Sequence, residues 1–110
     1  MSGQLCRNVV VLGSTGSIGT STLNVIAALP ERFNVLALAA ARNLAALQKQ
    51  INRFKPAFAA CAHDGTSLTG TFLVDRSDAL TYLATLPEAE IVVVATTGHA
   101  AIVPTIEALK

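Results

Sequence analysis

The fold is decided by residues 8–19, which read NVVVLGSTGSIG. Residues 8–12 are a β-branched apolar run that stops at Gly13, as expected of a strand buried on both faces of a parallel sheet. From Ser17 onward, apolar residues recur at near-helical spacing until Pro30, which cannot continue a helix interior. The stretch therefore predicts a strand, a glycine-rich turn and a helix over residues 17–29.

The same alternation of strand and helix continues along the chain. Further strands are predicted at 35–40, 58–62, 72–74 and 91–95, and further helices at 44–54, 77–86 and 102–110. The strand at 58–62 is the weaker one because alanine is a poor strand former, and residues 63–70 are predicted to form a loop. Pro104 is tolerated in the first turn of its helix. This order predicts an α/β fold, a Rossmann-type parallel sheet with helices on both faces.

Length and composition indicate an incomplete domain and exclude several classes of protein. A six-strand dinucleotide fold generally needs more than 110 residues. Charged residues make up 14% of the chain, against roughly 25% in soluble domains, which suggests missing neighbours. We therefore expect residues 1–110 to be a truncated dinucleotide-binding domain whose catalytic, metal-binding and carboxyl-terminal domains are absent.

Charge, hydropathy and cysteine usage bear on partners and location. A net charge of +1 without a basic run gives no footprint for nucleic acid. No apolar stretch reaches the ~18 residues of a membrane span, and the start lacks the apolar region of a signal peptide. Cys6 and Cys61 have no CxxC spacing and are interpreted as reduced structural thiols. We expect a cytoplasmic protein with neither membrane nor nucleic-acid partners.

The glycines of the first turn suit phosphate binding. Gly13 permits the tight turn, Gly16 lets the backbone approach a pyrophosphate, and Gly19 allows the helix to pack closely on the strand. Free N–H groups at the positive end of the helix then meet the phosphates, and the hydroxyls of Thr15 and Ser17 add hydrogen bonds. The alternative is that these glycines only make a tight strand–helix turn.

The residues after the second strand bear on the choice of nicotinamide cofactor, because the adenosine ribose binds there. Ala41, Arg42 and Asn43 occupy this position, and no acid that could bind a 2′-hydroxyl occurs within residues 33–55. Arg42 stands where a 2′-phosphate would bind, which favours NADPH, although it could be only a solvated loop charge. Asn43 is expected both to cap the next helix and to contact the ribose or its phosphate.

No catalytic residue and no metal ligand is assigned. His99, in the loop 96–100 at the carboxyl edge of the sheet, has no partner residue in view and is interpreted as a loop histidine rather than a general base. His63 and Asp64 offer too few ligands, since a mononuclear catalytic site usually takes three protein ligands. The close pair Glu88 and Glu90 precedes a strand at its amino end, away from the edge where ligands bind.

Several segments resemble the amino terminus of the 1-deoxy-D-xylulose 5-phosphate reductoisomerase family. They are VLGSTGSIG at 11–19, STL at 21–23, PERF at 30–33, the strand at 35–40, Arg42-Asn43, FKP at 54–56 and Pro104-Thr105. The resemblance covers nearly the whole chain. It implies that NADPH is bound by Thr15, Gly16, Ser17 and Ile18 at the first turn and by Ala41, Arg42 and Asn43 after the second strand.

The resemblance also implies an activity for the enzyme as a whole. Members of the family rearrange and reduce 1-deoxy-D-xylulose 5-phosphate to 2-C-methyl-D-erythritol 4-phosphate in non-mevalonate isoprenoid biosynthesis, as homodimers that use NADPH and a divalent metal, Mg or Mn. Residues 63–74 are shorter than the family pattern, so a helix after the third strand is expected to be missing. The chain ends at Lys110, before the family's acidic metal ligands, and alone it is expected to be inactive.

Two other functions remain open from the sequence. Semialdehyde dehydrogenases that reduce acyl phosphates also open with a strand, a similar glycine turn and an Arg after the second strand, but they need a nucleophilic Cys in a later domain. A stand-alone nucleotide-binding or regulatory module is the other possibility. The low charge content argues against such a module, because an independent domain should not leave so much apolar surface uncovered.

Overall fold

The computed structural model describes residues 6–61, 68–74 and 78–95, together with the backbone of 101–104. Nine elements follow one another in these ranges. They are β1 (Arg7–Leu12), α1 (Ser17–Ala28), β2 (Phe33–Ala40), α2 (Leu44–Phe54), β3 (Phe58–Cys61), β4 (Phe72–Leu73), α3 (Ala79–Ala84), β5 (Ile91–Val94) and β6 (Ala101–Pro104).

The strands form one sheet in the order β4-β3-β2-β1-β5-β6. Each neighbouring pair from β4 to β5 is parallel. Strand β1 lies in the middle, with β2 on one side and β5 on the other, so the direction of chain progression reverses at β1. In open parallel sheets, ligands bind at the carboxyl edge beside such a reversal. The predicted α/β class and parallel sheet are confirmed.

The predicted helix over residues 102–110 is wrong where the structure describes it. Ala101–Pro104 instead forms β6, which pairs antiparallel with β5 in the register Val92↔Val103. The backbone of β5 would otherwise leave an unpaired edge, and Ile102 and Val103 are β-branched residues that suit a strand. Pro104 fits because β6 is an edge strand, where a missing N–H is tolerated. Residues 105–110 lie outside the described ranges.

Both faces of the sheet are covered by helices, as predicted. Side chains of β1 alternate between two core clusters: Val9 and Val11 lie in the cluster covered by α1 and α2, and Val10 and Leu12 in the one covered by α3. The helical residues buried in these clusters are Leu23, Ile26, Leu47 and Ile51 on the first face and Leu83 on the second. Strand β1 is thus buried on both faces, as its unbroken apolar run predicts.

The helix ends agree with the local signals in the sequence. Helix α1 ends at Ala28, two residues before Pro30, and α2 ends before Lys55, whose backbone is left-handed with φ of 51°. The helix predicted at 77–86 is shorter, at Ala79–Ala84. The predicted absence of a family helix after the third strand stays a prediction, because residues 62–67 are outside the described ranges.

Polar groups tie the strands together at the amino edge of the sheet. The Glu90 carboxylate accepts a hydrogen bond from the backbone N–H of Asn8 at 2.9 Å, and its other oxygen lies 3.8 Å from the Arg7 guanidinium. Glu90 is therefore engaged at the edge opposite to the one where ligands bind in such sheets, as predicted. In the described part of the chain, no helix combines the length and the apolar character needed to cross a membrane.

Candidate nucleotide-binding site

The glycine-rich turn is fixed to the neighbouring strand. Gly13 has φ of 86°, a left-handed value that favours glycine. The N–H groups of Gly13 and Ser14 both donate to the carbonyl of Ala39 in β2, at 2.8 and 2.9 Å. The β1–β2 pairing therefore continues into the turn.

Gly19 is required for helix α1 to approach this turn. A Cβ at Gly19 would contact the carbonyl oxygen of Gly13 and would lie 2.7 Å from Cα and 2.9 Å from the carbonyl carbon of Ser14. These are backbone atoms of a residue that is fully buried. The close packing predicted for the third glycine of the motif is confirmed.

Gly16 leaves open space in front of the helix. Among the described residues other than its chain neighbours, a Cβ there would meet only the Gly13 oxygen within 4 Å, at an ordinary 3.7 Å. Gly16 is the N-cap residue of α1 and, being glycine, offers no side-chain acceptor to the first N–H groups of the helix. The first turn also holds no acidic residue. The N–H groups of Ser17, Ile18 and Gly19 lie in the first turn, where a helix supplies no acceptor. An anion is the natural ligand of such a helix start.

The segment after β2 is shaped by a tight turn and a helix cap. The Leu44 N–H donates to the Arg42 carbonyl at 2.8 Å, and Asn43 has φ of −79° and ψ of 81°, the geometry of an inverse γ-turn. The Asn43 side-chain oxygen accepts from the Ala46 N–H at 3.1 Å. The predicted capping role of Asn43 is confirmed, and its side-chain NH₂ makes no hydrogen bond to any residue in the described ranges.

Arg42 is exposed and carries an available charge. It forms no ion pair with any residue that the structure describes. Its neighbour Ala41 is also exposed, and the Ala41 carbonyl accepts a weak hydrogen bond from the Cys61 thiol at 3.5 Å. The backbone beside Arg42 is thus held by β3, and among the described residues no carboxylate pairs with the guanidinium to compete with a phosphate.

The two predicted segments lie at the same edge of the sheet. Leu12, the last residue of β1, is paired with Ala39, the penultimate residue of β2, in parallel register. The turn that follows β1 and the Arg42–Asn43 segment that follows β2 are therefore neighbours at the carboxyl edge. The loop 96–100 with His99, and the pair His63–Asp64, lie outside the described residues.

Gln50 contacts the turn and was missed by the sequence reasoning. Its Nε2 donates to the carbonyl of Ser14 at 2.8 Å. Gln50 follows Asn43 by seven residues, two helical turns, and so lies on the same side of α2 as the helix cap and as buried Leu47. The sequence signal that could have identified Gln50 was its spacing, which places a polar residue on the same side of α2 as buried Leu47.

The other groups that could carry chemistry are sparse. Within residues 6–61, 68–74 and 78–95 there is no cluster of three His, Cys, Asp or Glu side chains that could hold a metal ion. Cys6 and Cys61 are both free thiols. A cavity of about 370 Å³ is lined by Phe33, Arg53 and Phe54 among others, but Phe33 begins β2, so this cavity lies at the amino edge, away from the glycine turn.

Comparison with known sequences identifies relatives over almost the whole chain. The sequence profile of the family described as 1-deoxy-D-xylulose 5-phosphate reductoisomerase matches residues 9–110. The reductoisomerase of Thermomicrobium roseum is 46% identical over 102 residues, covering 91% of this chain and 26% of the relative. That of Pelotomaculum thermopropionicum is 40% identical over 113 residues, covering 94% of this chain and 29% of the relative.

Solved structures agree with the sequence relatives. A crystal structure of DOX-P reductoisomerase in complex with NADPH, fosmidomycin and magnesium has a TM-score of 0.72 at 25% identity, over 78% of this chain and 23% of that one. The Zymomonas mobilis enzyme in complex with NADPH has a TM-score of 0.66 at 32% identity, over 74% of this chain and 24% of that one. The chain spans just over a quarter of the length of the curated relatives named above. It belongs to the 1-deoxy-D-xylulose 5-phosphate reductoisomerase family.

Proposed function

We propose that this chain is the NADPH-binding portion of a 1-deoxy-D-xylulose 5-phosphate reductoisomerase, an NADP-dependent oxidoreductase of non-mevalonate isoprenoid biosynthesis. The reaction of the whole enzyme rearranges and reduces 1-deoxy-D-xylulose 5-phosphate to 2-C-methyl-D-erythritol 4-phosphate. Residues 1–110 form the dinucleotide-binding domain in part, and the catalytic and metal-binding groups belong to other parts of the enzyme. The observation that carries the proposal is the placement of the glycine turn beside Arg42 and Asn43 at one sheet edge.

The glycine turn fits the pyrophosphate of the cofactor. We assign this contact to Thr15, Gly16, Ser17 and Ile18. The space in front of Gly16 is one that a side chain would fill, and the first turn of α1 offers N–H donors with no acidic residue to repel a phosphate. Thr15 and Ser17 can add hydroxyl donors from the same turn.

The segment after β2 fits an adenosine ribose that carries a 2′-phosphate. We assign this contact to Ala41, Arg42 and Asn43. Arg42 offers a guanidinium that matches a phosphate in geometry and charge, and Asn43 offers the NH₂ group that its capping bond leaves available. Exposed Ala41 puts little bulk beside the ribose. A site for NAD would instead offer a carboxylate to the 2′-hydroxyl, and residues 33–55 contain none.

The contribution of this chain to the reaction is binding and orientation. NADPH supplies a hydride when it is bound, and the protein determines where the reactive ring is presented. The turn at Gly16 and the segment at Arg42 hold the cofactor at two points on neighbouring strands. Two fixed points restrict the orientation of the dinucleotide along the carboxyl edge of the sheet.

The remaining partners follow from the family. We propose that the complete enzyme takes the sugar phosphate as its substrate, uses a divalent metal, Mg or Mn, and is a homodimer. A DOX-P reductoisomerase has been solved with NADPH, fosmidomycin and magnesium, which supports the cofactor and the metal. We propose a cytoplasmic location, which the free thiols of Cys6 and Cys61 support.

The test is the preference of the chain for NADPH over NADH. If Arg42 binds the 2′-phosphate, charge-assisted bonds worth roughly 1.5–3 kcal/mol give NADPH about a 10- to 150-fold advantage. Calorimetric titration of both cofactors should show this advantage in the wild type and its loss in Arg42→Ala. Arg53→Ala is the matched control, since Arg53 lies in the last turn of α2, stacked on the Phe54 ring. Equal affinities in the wild type would contradict the proposal.

A further inference from the structure

The buried backbone of Ser14 is held from three sides. Its N–H donates to Ala39 in β2, its Cα faces Gly19 of α1, and its carbonyl accepts the 2.8 Å hydrogen bond from Gln50 of α2. Only the contact from α2 is made by a side chain. Gln50 and Ser14 are 36 residues apart in sequence, so this bond joins the turn after β1 to a helix that begins beside the turn after β2.

The amide at position 50 has two opposing effects on stability, because its NH₂ group pairs the buried Ser14 carbonyl while its oxygen is left unpaired. The Oε1 of Gln50 and the Oγ of Ser14 are buried and have no hydrogen-bond partner in the part of the chain that the structure describes, and each such atom costs free energy. An apolar side chain of the same length would avoid the cost of the unpaired Oε1, but it would leave the buried Ser14 carbonyl without this donor. Gln48 of the same helix makes full use of its amide, donating to the Thr69 carbonyl and accepting from the Thr69 N–H, both at 2.9 Å.

Helix α2 connects the Arg42–Asn43 segment, where it begins, to the glycine turn, which its Gln50 side chain contacts. Asn43, Leu47 and Gln50 lie on one side of the helix, and the rise from Asn43 to Gln50 is about 10 Å. Leu47 lies between them in sequence and is fully buried in the core cluster, so rotation of the helix would expose an apolar side chain. The amide of Gln50 therefore lies at a fixed distance from the Arg42–Asn43 turn.

We propose that Gln50 is a positioning residue for nucleotide binding, which holds the Ser14 carbonyl and so keeps the glycine turn in register with Arg42 and Asn43. The proposal rests on the proposed function, because the turn is taken to bind the pyrophosphate. Gln50 itself touches no ligand. Its loss would leave the fold intact but let the turn adopt conformations that do not bind, which lowers the apparent affinity by the fraction of competent molecules.

The effect of a Gln50 substitution on the affinities for different ligands distinguishes a positioning role from a general loss of stability. The pyrophosphate is common to NADPH and NADH, so Gln50→Met should weaken both by the same factor, about 3- to 10-fold, as expected for one hydrogen bond. The preference for NADPH should not change. Adenosine 2′-monophosphate has no pyrophosphate and should bind the variant and the wild type equally.

The experiment titrates the full chain with NADPH, NADH and adenosine 2′-monophosphate, comparing wild type, Gln50→Met and Gln48→Met. Gln48→Met is the matched control because it removes an amide with two bonds to Thr69 from the same helix, away from the turn. We expect it to leave all three affinities unchanged. Equal weakening by both variants, or wild-type affinity in Gln50→Met, would overturn the proposal. Failure of the wild type to bind NADPH would refute the proposed function and this inference with it.

Amide hydrogen exchange without any ligand gives a second test that does not depend on nucleotide binding. Gln50→Met should speed exchange at Ser14 and Gly16, whose N–H groups are bonded within the turn and to β2, and leave Thr69 unchanged. Gln48→Met should speed exchange at Thr69, whose N–H donates to Gln48, and leave Ser14 and Gly16 unchanged. Wild-type exchange at Ser14 and Gly16 in Gln50→Met would show that the amide does not hold the turn, and would overturn the inference even if NADPH binds.

Discussion

Replacing Gly19 by alanine should be the most damaging single-methyl change in the turn. The added Cβ would lie 2.7 and 2.9 Å from two Ser14 backbone atoms and closer still to the Gly13 oxygen, whereas carbon atoms prefer about 3.5–4.0 Å. Ser14 cannot move aside, because it is fully buried and both its N–H and its carbonyl are hydrogen-bonded. Helix α1 would have to shift away from β1.

The expected change in the free energy of unfolding of Gly19→Ala follows from two opposing effects. Overpacking of a core typically costs about 1–3 kcal/mol, and the upper value applies since only backbone can move. Alanine regains up to about 1 kcal/mol over glycine inside a helix. The net loss is therefore about 2 kcal/mol, which lowers the melting temperature of a domain of about this size by roughly 8–16 °C.

Thermal and urea unfolding followed by circular dichroism would measure this loss. Gly16→Ala is the matched control: its Cβ would lie 3.7 Å from the nearest atom outside its chain neighbours, and its φ of −77° suits any residue. We expect that variant to stay within about 0.5 kcal/mol of wild type. The reasoning fails if the two variants melt at the same temperature.

Three further changes separate binding from stability. Gly16→Val should abolish NADPH binding while the circular dichroism spectrum stays near wild type, because its side chain enters the proposed pyrophosphate space; normal binding would mean that the turn is only structural. Asn43→Ala should lose about 0.5–2 kcal/mol of stability in urea unfolding as the α2 cap disappears, and no loss would contradict the capping bond. Lys55→Gly should raise stability by about 0.5 kcal/mol, since it relieves a left-handed residue but loosens the unfolded chain; destabilisation would show that the Lys55 side chain matters more than its φ of 51°.

The part of the fold that the sequence predicts well is local. The apolar run of β1, the three glycines and the first turn of α1 are determined by residues within a dozen positions of one another, and the predicted boundaries of α1 differ from the observed ones by one residue. Asn43 was recognisable as a helix cap for the same reason. These features depend on backbone sterics and short-range hydrogen bonds, which sequence spacing reveals.

The parts that the sequence did not predict depend on distant partners. A helical pattern of apolar residues was read over residues 102–110, yet residues 101–104 pair with β5 because its backbone offers an edge. The bond from Gln50 to Ser14 crosses from one βα unit to the next, and the sequence hints at it only through a polar residue on the buried side of α2 without indicating its partner. The motif alone also left a semialdehyde dehydrogenase open, since both families share the first turn; only the longer match over residues 9–110 separates them. The stand-alone module stays an untested alternative.

The carbonyl of Ala39 has a thermodynamic consequence for ligand binding. It receives two N–H donors from the turn, so the residues that precede the proposed pyrophosphate site are already ordered in the free protein. Ligands that bind preformed sites lose less affinity to the ordering of loops. Binding at this turn should therefore carry a small entropic penalty from the backbone, and changes elsewhere in the site should alter the lifetime of the complex more than the rate of its formation.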